Sequence, residues 1–128
     1  MKRLCLILLA VLLLTACGQK METTQEAAYM NITPAEAKKL MDTEEDYVLL
    51  DVRTQEEYDD GHIAGAILIP DTEIRDRAEQ ELTNKDQLIL VYCRSGRRSK
   101  LAAEILEELG YTRIREFGGI LDWPYGVE

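Results

Sequence analysis

Apolar residues fall into short continuous runs separated by charged stretches of helical spacing. Tyr47-Val48-Leu49-Leu50, Ile67-Leu68-Ile69 and Leu88-Ile89-Leu90-Val91 lack the polar alternation of a half-exposed strand. They predict strands buried on both faces. Tyr29 to Ile32 predicts a short strand before them, and Arg113-Ile114-Arg115-Glu116 a short one after. Between the runs, apolar residues recur at helical intervals: Ala37, Leu40 and Met41; Ile74, Ala78 and Leu82; Leu101, Ala102, Ile105, Leu106 and Leu109. Thr33-Pro34-Ala35-Glu36 predicts a helix start, with Thr33 as N-cap, Pro34 in the first turn and Glu36 closing a capping box. Thr54-Gln55-Glu56-Glu57 predicts a second, stopped near Gly61. Gly110 ends the last helix, and Phe117-Gly118-Gly119-Ile120 reads as a turn into a brief terminal segment with Trp123.

Buried strands alternating with amphipathic helices predict an α/β fold with a mainly parallel central sheet flanked by helices. In open sheets of this kind ligands sit beyond the carboxyl ends of the strands. Val91-Tyr92-Cys93-Arg94-Ser95-Gly96-Arg97-Arg98-Ser99 occupies such an end, between the Leu88–Val91 strand and the Leu101–Leu109 helix.

The start of the chain follows a different pattern. Lys2 and Arg3 precede an apolar run of eleven residues, Leu4 to Leu14, too short to span a bilayer. Leu14-Thr15-Ala16-Cys17 then resembles the bacterial lipobox, which implies cleavage before Cys17 and a lipid on Cys17. Residues 1–16 are therefore expected to be a lipoprotein signal peptide. Residues 17–28 would be the lipidated cysteine and a polar tether, and 29–128 one domain. The protein would be exported and lipid-anchored to the bacterial cell envelope, in a periplasm or on the outer face of the cytoplasmic membrane.

Processing changes the charge and the cysteine count. The 128-residue chain carries 15 basic and 24 acidic residues; without Lys2 and Arg3 the net charge falls from −9 to −11. Nucleic acid is excluded as a partner on that ground. Cys5 leaves with the signal and Cys17 takes the lipid, so Cys93 is the one free thiol of the expected mature chain. No internal disulfide is then available. With one histidine and one free cysteine, no metal-ligand spacing exists and no metal or cofactor is expected.

A free cysteine is most often a small buried hydrophobe, but the loop context of Cys93 argues otherwise. A loop opening a helix aims backbone N–H groups inward and favours negative charge. An ordinary thiol has a pKa of about 8.5, leaving a few per cent thiolate at neutral pH. Lowering it by two units takes about 2.7 kcal/mol; a helix N-terminus contributes about 0.3–2 kcal/mol. Nearby cations must supply the rest. Arg94, Arg97, Arg98 and Lys100 cluster there in an otherwise acidic domain, although basic charge opposes the helix dipole at that end. Ser95 and Ser99 offer hydroxyls to a sulfur or oxyanion, and Ser99 also suits a helix N-cap. Gly96 permits a positive φ. His62 lies in a Gly-His-Ile-Ala-Gly-Ala turn, where structural hydrogen bonding is the expectation.

Ordered pieces of the sequence resemble the single-domain rhodanese family, the thiosulfate sulfurtransferases. They are Leu50-Asp51-Val52-Arg53 with Glu57-Tyr58, Gly61-His62-Ile63-Ala64-Gly65-Ala66 through Ile69-Pro70, Val91 through Ser99, Leu109-Gly110-Tyr111, and Phe117-Gly118-Gly119 with Trp123. The resemblance implies a rhodanese-like fold in which Cys93 is catalytic and becomes a persulfide. Arg94, Ser95, Gly96, Arg97, Arg98 and Ser99 would bind the substrate. It implies a small sulfur-donor anion such as thiosulfate, and an acceptor that is a thiol or cyanide. Asp51, Arg53 and His62 match structural signatures of the family rather than catalytic positions. A monomer is expected, and a reducing thiol protein is a reasonable partner because an exposed low-pKa thiol oxidises readily. Some rhodanese-like domains lack activity, so the alternative is a non-catalytic persulfide carrier or interaction module. A cysteine phosphatase or arsenate reductase would need Arg where Ser99 stands; Arg98 comes one residue early.

Overall fold

The computed structural model describes residues 26–128. The expected signal segment, Cys17 and the first part of the tether lie outside the described residues. Five strands, β1 (Tyr29–Asn31), β2 (Tyr47–Asp51), β3 (Ile67–Leu68), β4 (Leu88–Cys93) and β5 (Ile114–Gly119), form one sheet in the order β1-β5-β4-β2-β3. Every pairing is parallel. The α/β architecture expected from the pattern is therefore the one observed. Four helices cover the sheet: α1 (Pro34–Thr43), α2 (Gln55–Asp60), α3 (Ile74–Glu81) and α4 (Arg97–Glu108).

The period of two along each strand divides the core. Leu50, Ile89, Val91, Cys93 and Ile114 face α3 and α4, meeting Ile74, Ala78, Ala102, Ala103 and Leu106. Leu49, Leu88, Leu90, Tyr92 and Phe117 face the other side, with Ala37 of α1, Ile63 and Trp123. The central strand β4 is buried along its whole length, which is why it reads as an unbroken apolar run. Both predicted capping boxes form: Thr33 Oγ1 accepts from the Glu36 N–H at 3.1 Å, and Thr54 Oγ1 from the Glu57 N–H at 3.2 Å.

Several elements depart from the sequence-based expectation. The Ile67–Ile69 run is an edge strand of two residues with Ile67 41% exposed, not a strand buried on both faces. In α4, Leu101 is 49% exposed and Ala103 takes its place against the sheet. The last strand runs on through Gly119, because β1 pairs with its first half and β4 along more of its length. Contacts with the sheet begin before Tyr29: the Ala28 carbonyl accepts from the Ile114 N–H at 2.7 Å, and Glu26 pairs with Arg115 at 3.0 Å.

Candidate active site

β4 delivers Cys93 as its last residue, at the carboxyl edge of the sheet and on the face covered by α4. The chain turns through residues 94–96, and α4 begins at Arg97. Gly96 makes the turn with φ +109°, a left-handed conformation that other residues adopt only at a cost. The Gly96 N–H thereby points back and donates to Cys93 Sγ at 3.0 Å. One turn into α4, Ser99 Oγ lies 3.3 Å from the same sulfur, accepting from the thiol. Cys93 itself is 1% exposed, so its sulfur sits at the floor of the bowl.

The loop's outer wall comes from the chain after β5. The Arg94 carbonyl accepts from the Leu121 N–H at 3.2 Å. Gly119, paired with Cys93 across the β4–β5 register shift, lies against the Arg94–Ser95 peptide so closely that a Cβ there would overlap the Arg94 carbonyl. A side chain at Gly119 would push the loop off β5. Gly119, expected as part of a turn, therefore serves this close approach, whereas Gly118 takes a positive φ of +88° in open space.

The residues expected to bind substrate separate into groups. Cys93, Gly96 and Ser99 come together in the interior. Arg94, Ser95 and Arg97 are exposed at the rim, and neither arginine forms a salt bridge among the described residues. Arg98 is only partly exposed and turns to Glu57 of α2, donating from both terminal nitrogens at 2.7 and 2.9 Å. The bidentate Arg98 guanidinium holds the Glu57 carboxyl down at about 2. The Glu57 hydrogen bonds in turn raise Arg98 above its usual range, with a smaller contribution from the nearby Cys93 sulfur. Gly96, not Ser99, occupies the N-cap; Ser99 stands in the first turn with its side chain turned inward.

His62 is held by structure. Its Nδ1 lies 2.9 Å from the Tyr58 carbonyl, its ring stacks on Tyr58 at 3.8 Å, and its backbone exchanges hydrogen bonds with Glu128. Asp51 and Arg53 form a buried ion pair at 2.7 Å, and Arg53 also donates to the Gly61 carbonyl at 2.7 Å. Burial is the largest single influence on Arg53 and works against its charge, but the Asp51 hydrogen bonds together with the charges of Asp51, Tyr92 and Glu57 outweigh it and hold the guanidinium above its usual range. Among the described residues no group of three or more His, Cys, Asp or Glu side chains is placed to hold a metal ion.

Glu116 is the site residue that the sequence did not reveal. It is buried in β5, and its Oε1 accepts from Ser99 Oγ at 2.5 Å and from the Gly118 N–H at 2.8 Å. The available signal was its place two residues after Ile114, on the strand face that looks toward α4.

A parallel α/β domain here holds a thiol in a backbone bowl, at the carboxyl end of its central strand and beneath a helix N-terminus, where backbone N–H groups favour negative charge. The chain belongs to the rhodanese family: the model of the rhodanese-like domain matches residues 33–124. It is 42% identical over 73 residues to the thiosulfate sulfurtransferase PspE of Escherichia coli (strain K12), covering 57% of this chain and 70% of that one. It is 39% identical over 92 residues to YrkF of Bacillus subtilis (strain 168), which is named as a candidate sulfur carrier. That match covers 71% of this chain and about half (49%) of the relative. Among solved structures, a rhodanese with anions from E. coli superposes with a TM-score of 0.60 at 38% identity, covering 64% of this chain and 96% of that one. A rhodanese-related protein from Thermoplasma volcanium superposes at 0.67 with 33% identity, covering 78% and 98%.

Proposed function

We propose that this protein is a sulfurtransferase that moves sulfane sulfur through a persulfide on Cys93. The observation that carries this reading is the Gly96 N–H donating to Cys93 Sγ at 3.0 Å, in a loop whose last arginine, Arg98, comes one residue earlier than a phosphate-binding loop requires. The Cys93 thiolate attacks the outer sulfur of thiosulfate or a similar donor. The bond from that sulfur to the sulfonate breaks, and sulfite leaves with the electron pair. A thiol or cyanide then takes the outer sulfur and returns Cys93 to thiolate. Arg94 and Arg97, exposed and outside the salt bridges of the described residues, bind the donor's oxyanion. Arg98 contributes charge from the loop wall while held by Glu57.

A phosphatase reading is weakened at Ser99. The residue in the place of the phosphate-binding arginine is a buried serine, which brings no positive charge to a phosphoryl group. The sulfur-carrier reading draws support from the likeness to YrkF. We also propose that the lipid on Cys17 anchors the domain to the cell envelope. Retention in the membrane fraction, lost on Cys17→Ala, tests this; a soluble wild type would end it.

Protein given thiosulfate should gain the mass of one sulfur on the Cys93 peptide, and Cys93→Ser should gain none. With cyanide added, thiocyanate should accumulate over many turnovers. One sulfur taken up without turnover would favour the carrier; an unchanged mass would sink both readings.

A further inference from the structure

Behind Cys93 lies a buried carboxylate that sulfur transfer as described leaves without a task. Glu116 is 1% exposed. Among the described residues no lysine, arginine or histidine nitrogen forms a salt bridge with it. Its partners are all uncharged donors: Ser99 Oγ and the Gly118 N–H on Oε1, and Asn31 Nδ2 on Oε2 at 2.5 Å. Burying a carboxylate without a cation is costly. A glutamine of the same shape would accept from Ser99 and Gly118 without that cost, with the exposed Asn31 amide turned over to present its oxygen to the glutamine NH2. Stability alone therefore does not account for an acid here.

The hydrogen bonds form a continuous path. The Cys93 thiol donates to Ser99 Oγ at 3.3 Å, and Ser99 donates its single proton to Glu116 Oε1 at 2.5 Å, the range of a hydroxyl bound to a carboxylate. The Gly96 and Gly118 carbonyls, at 3.0 and 3.3 Å, are longer and neutral alternatives for that proton. While Ser99 points at Glu116, its oxygen faces the sulfur as an acceptor, an arrangement that suits a thiol and not a thiolate.

We propose that Glu116 is the proton acceptor for Cys93, acting through Ser99. The sulfur–hydrogen bond breaks and its proton goes to Ser99 Oγ, while the Ser99 proton passes to Glu116 Oε1. Ser99 then donates to the sulfur and accepts from the new Glu116 carboxylic acid. One negative charge leaves the carboxylate and one appears on sulfur, so the net charge of the site is constant. The charge arrives where the Gly96 N–H and the start of α4 receive it. No proton has to cross to solvent to make the nucleophile, and after sulfur transfer Glu116 still holds a proton to return.

The titratable and charged groups around this path come from each element packed on it. β4 supplies Cys93, and β1 supplies Tyr29, whose phenol is pushed up first by burial and then by the Glu116 charge. Glu104 and Glu107 of α4 add smaller repulsions at Tyr29. Arg98 of α4, tied to Glu57 of α2, faces Cys93 from the opposite wall.

The proposal rests on Cys93 being the reacting thiol, but its test needs no sulfur donor, so a failed relay and a failed sulfur transfer give different results. The rate of iodoacetamide alkylation on the Cys93 peptide is followed by mass spectrometry across pH in the full chain. Two coupled groups sharing protons should give two steps with a plateau between them. Glu116→Gln should leave one step and lower the rate in the plateau region about tenfold or more. Ser99→Ala, which keeps the carboxylate and cuts the path, should also leave one step. A single step in the wild type, or two unchanged steps in Glu116→Gln, would overturn the proposal. Ser99→Ala decides the matter if Glu116→Gln does not fold.

Discussion

Two carboxylates lie fully buried near the carboxyl edge of the same sheet, and they are kept in opposite ways. Asp51 ends β2 and is clasped by Arg53, which reaches it from Nε and the terminal nitrogen at 2.7 to 3.1 Å and continues to the Gly61 carbonyl. Its backbone neighbour helps too, since the Arg53 N–H donates to Asp51 Oδ1 at 2.9 Å. Glu116 in β5 receives only neutral donors. The Asp51 pair welds the turn after β2 to the Gly61 region. Burial pushes the neighbouring Tyr92 phenol well up, so that corner holds its protons fixed. Glu116 reaches the Cys93 sulfur through one hydroxyl. A charge neutralised by a cation is architecture; a charge held by movable protons is available to chemistry.

Matched neutral substitutions test that distinction with the largest effect. Asp51→Asn leaves the Arg53 guanidinium buried without its counter-ion and should cost about 3–5 kcal/mol of unfolding free energy. Glu116→Gln keeps its shape and the Ser99 and Gly118 donors, and should stay within about 1 kcal/mol of wild type. Urea unfolding of the two variants side by side reads the difference. Equal costs would show that Glu116 is held as rigidly as Asp51.

Ser99→Ala should fall between them. It removes one donor from the buried Glu116 carboxylate and one acceptor from Cys93, while Gly118 and Asn31 remain. Losing a hydrogen bond to a charged group costs about 1.5–3 kcal/mol. Urea unfolding beside the other two variants checks it. A loss well under about 1 kcal/mol would show that the hydroxyl does little to hold the carboxylate.

These contrasts also mark where the sequence was legible. β2 and β4 were readable because central strands of a parallel sheet bury both faces and become unbroken apolar runs. β3 is less legible, since three apolar residues satisfy an edge strand as well as an inner one. An apolar count favours Leu101 over an alanine for the inner face, whereas α4 lies against the sheet on Ala102, Ala103 and Leu106. The Cys93 loop was visible because its residues are adjacent. Glu116 meets Ser99 across 17 residues and Glu57 meets Arg98 across 41, and both partnerships are made only when strands and helices pack. A charged residue in a short strand reads as surface, and four neighbouring basic residues read as one anion site although one of them already has its anion.

Glu57 completes the comparison as a third carboxylate, partly exposed and cation-paired, and it carries the smallest expected effect. Its pKa is held at about 2 by Arg98, below the ordinary value of 4.5. A carboxyl depressed in the folded state stabilises the fold at pH values above the ordinary one, and that contribution is lost as pH falls from about 4.5 to about 2. Exposure of roughly a quarter of each partner's side chain to screening keeps the effect modest. Glu57→Gln should therefore lower stability slightly at pH 7 and converge on wild type near pH 2. The gap should also narrow in high salt. Freed from Glu57, Arg98 can swing toward the bowl, so the same variant should bind a sulfite or thiosulfate anion at least as well as wild type. Weaker anion binding in Glu57→Gln would show instead that the Glu57–Arg98 pair is needed to hold the loop wall in place.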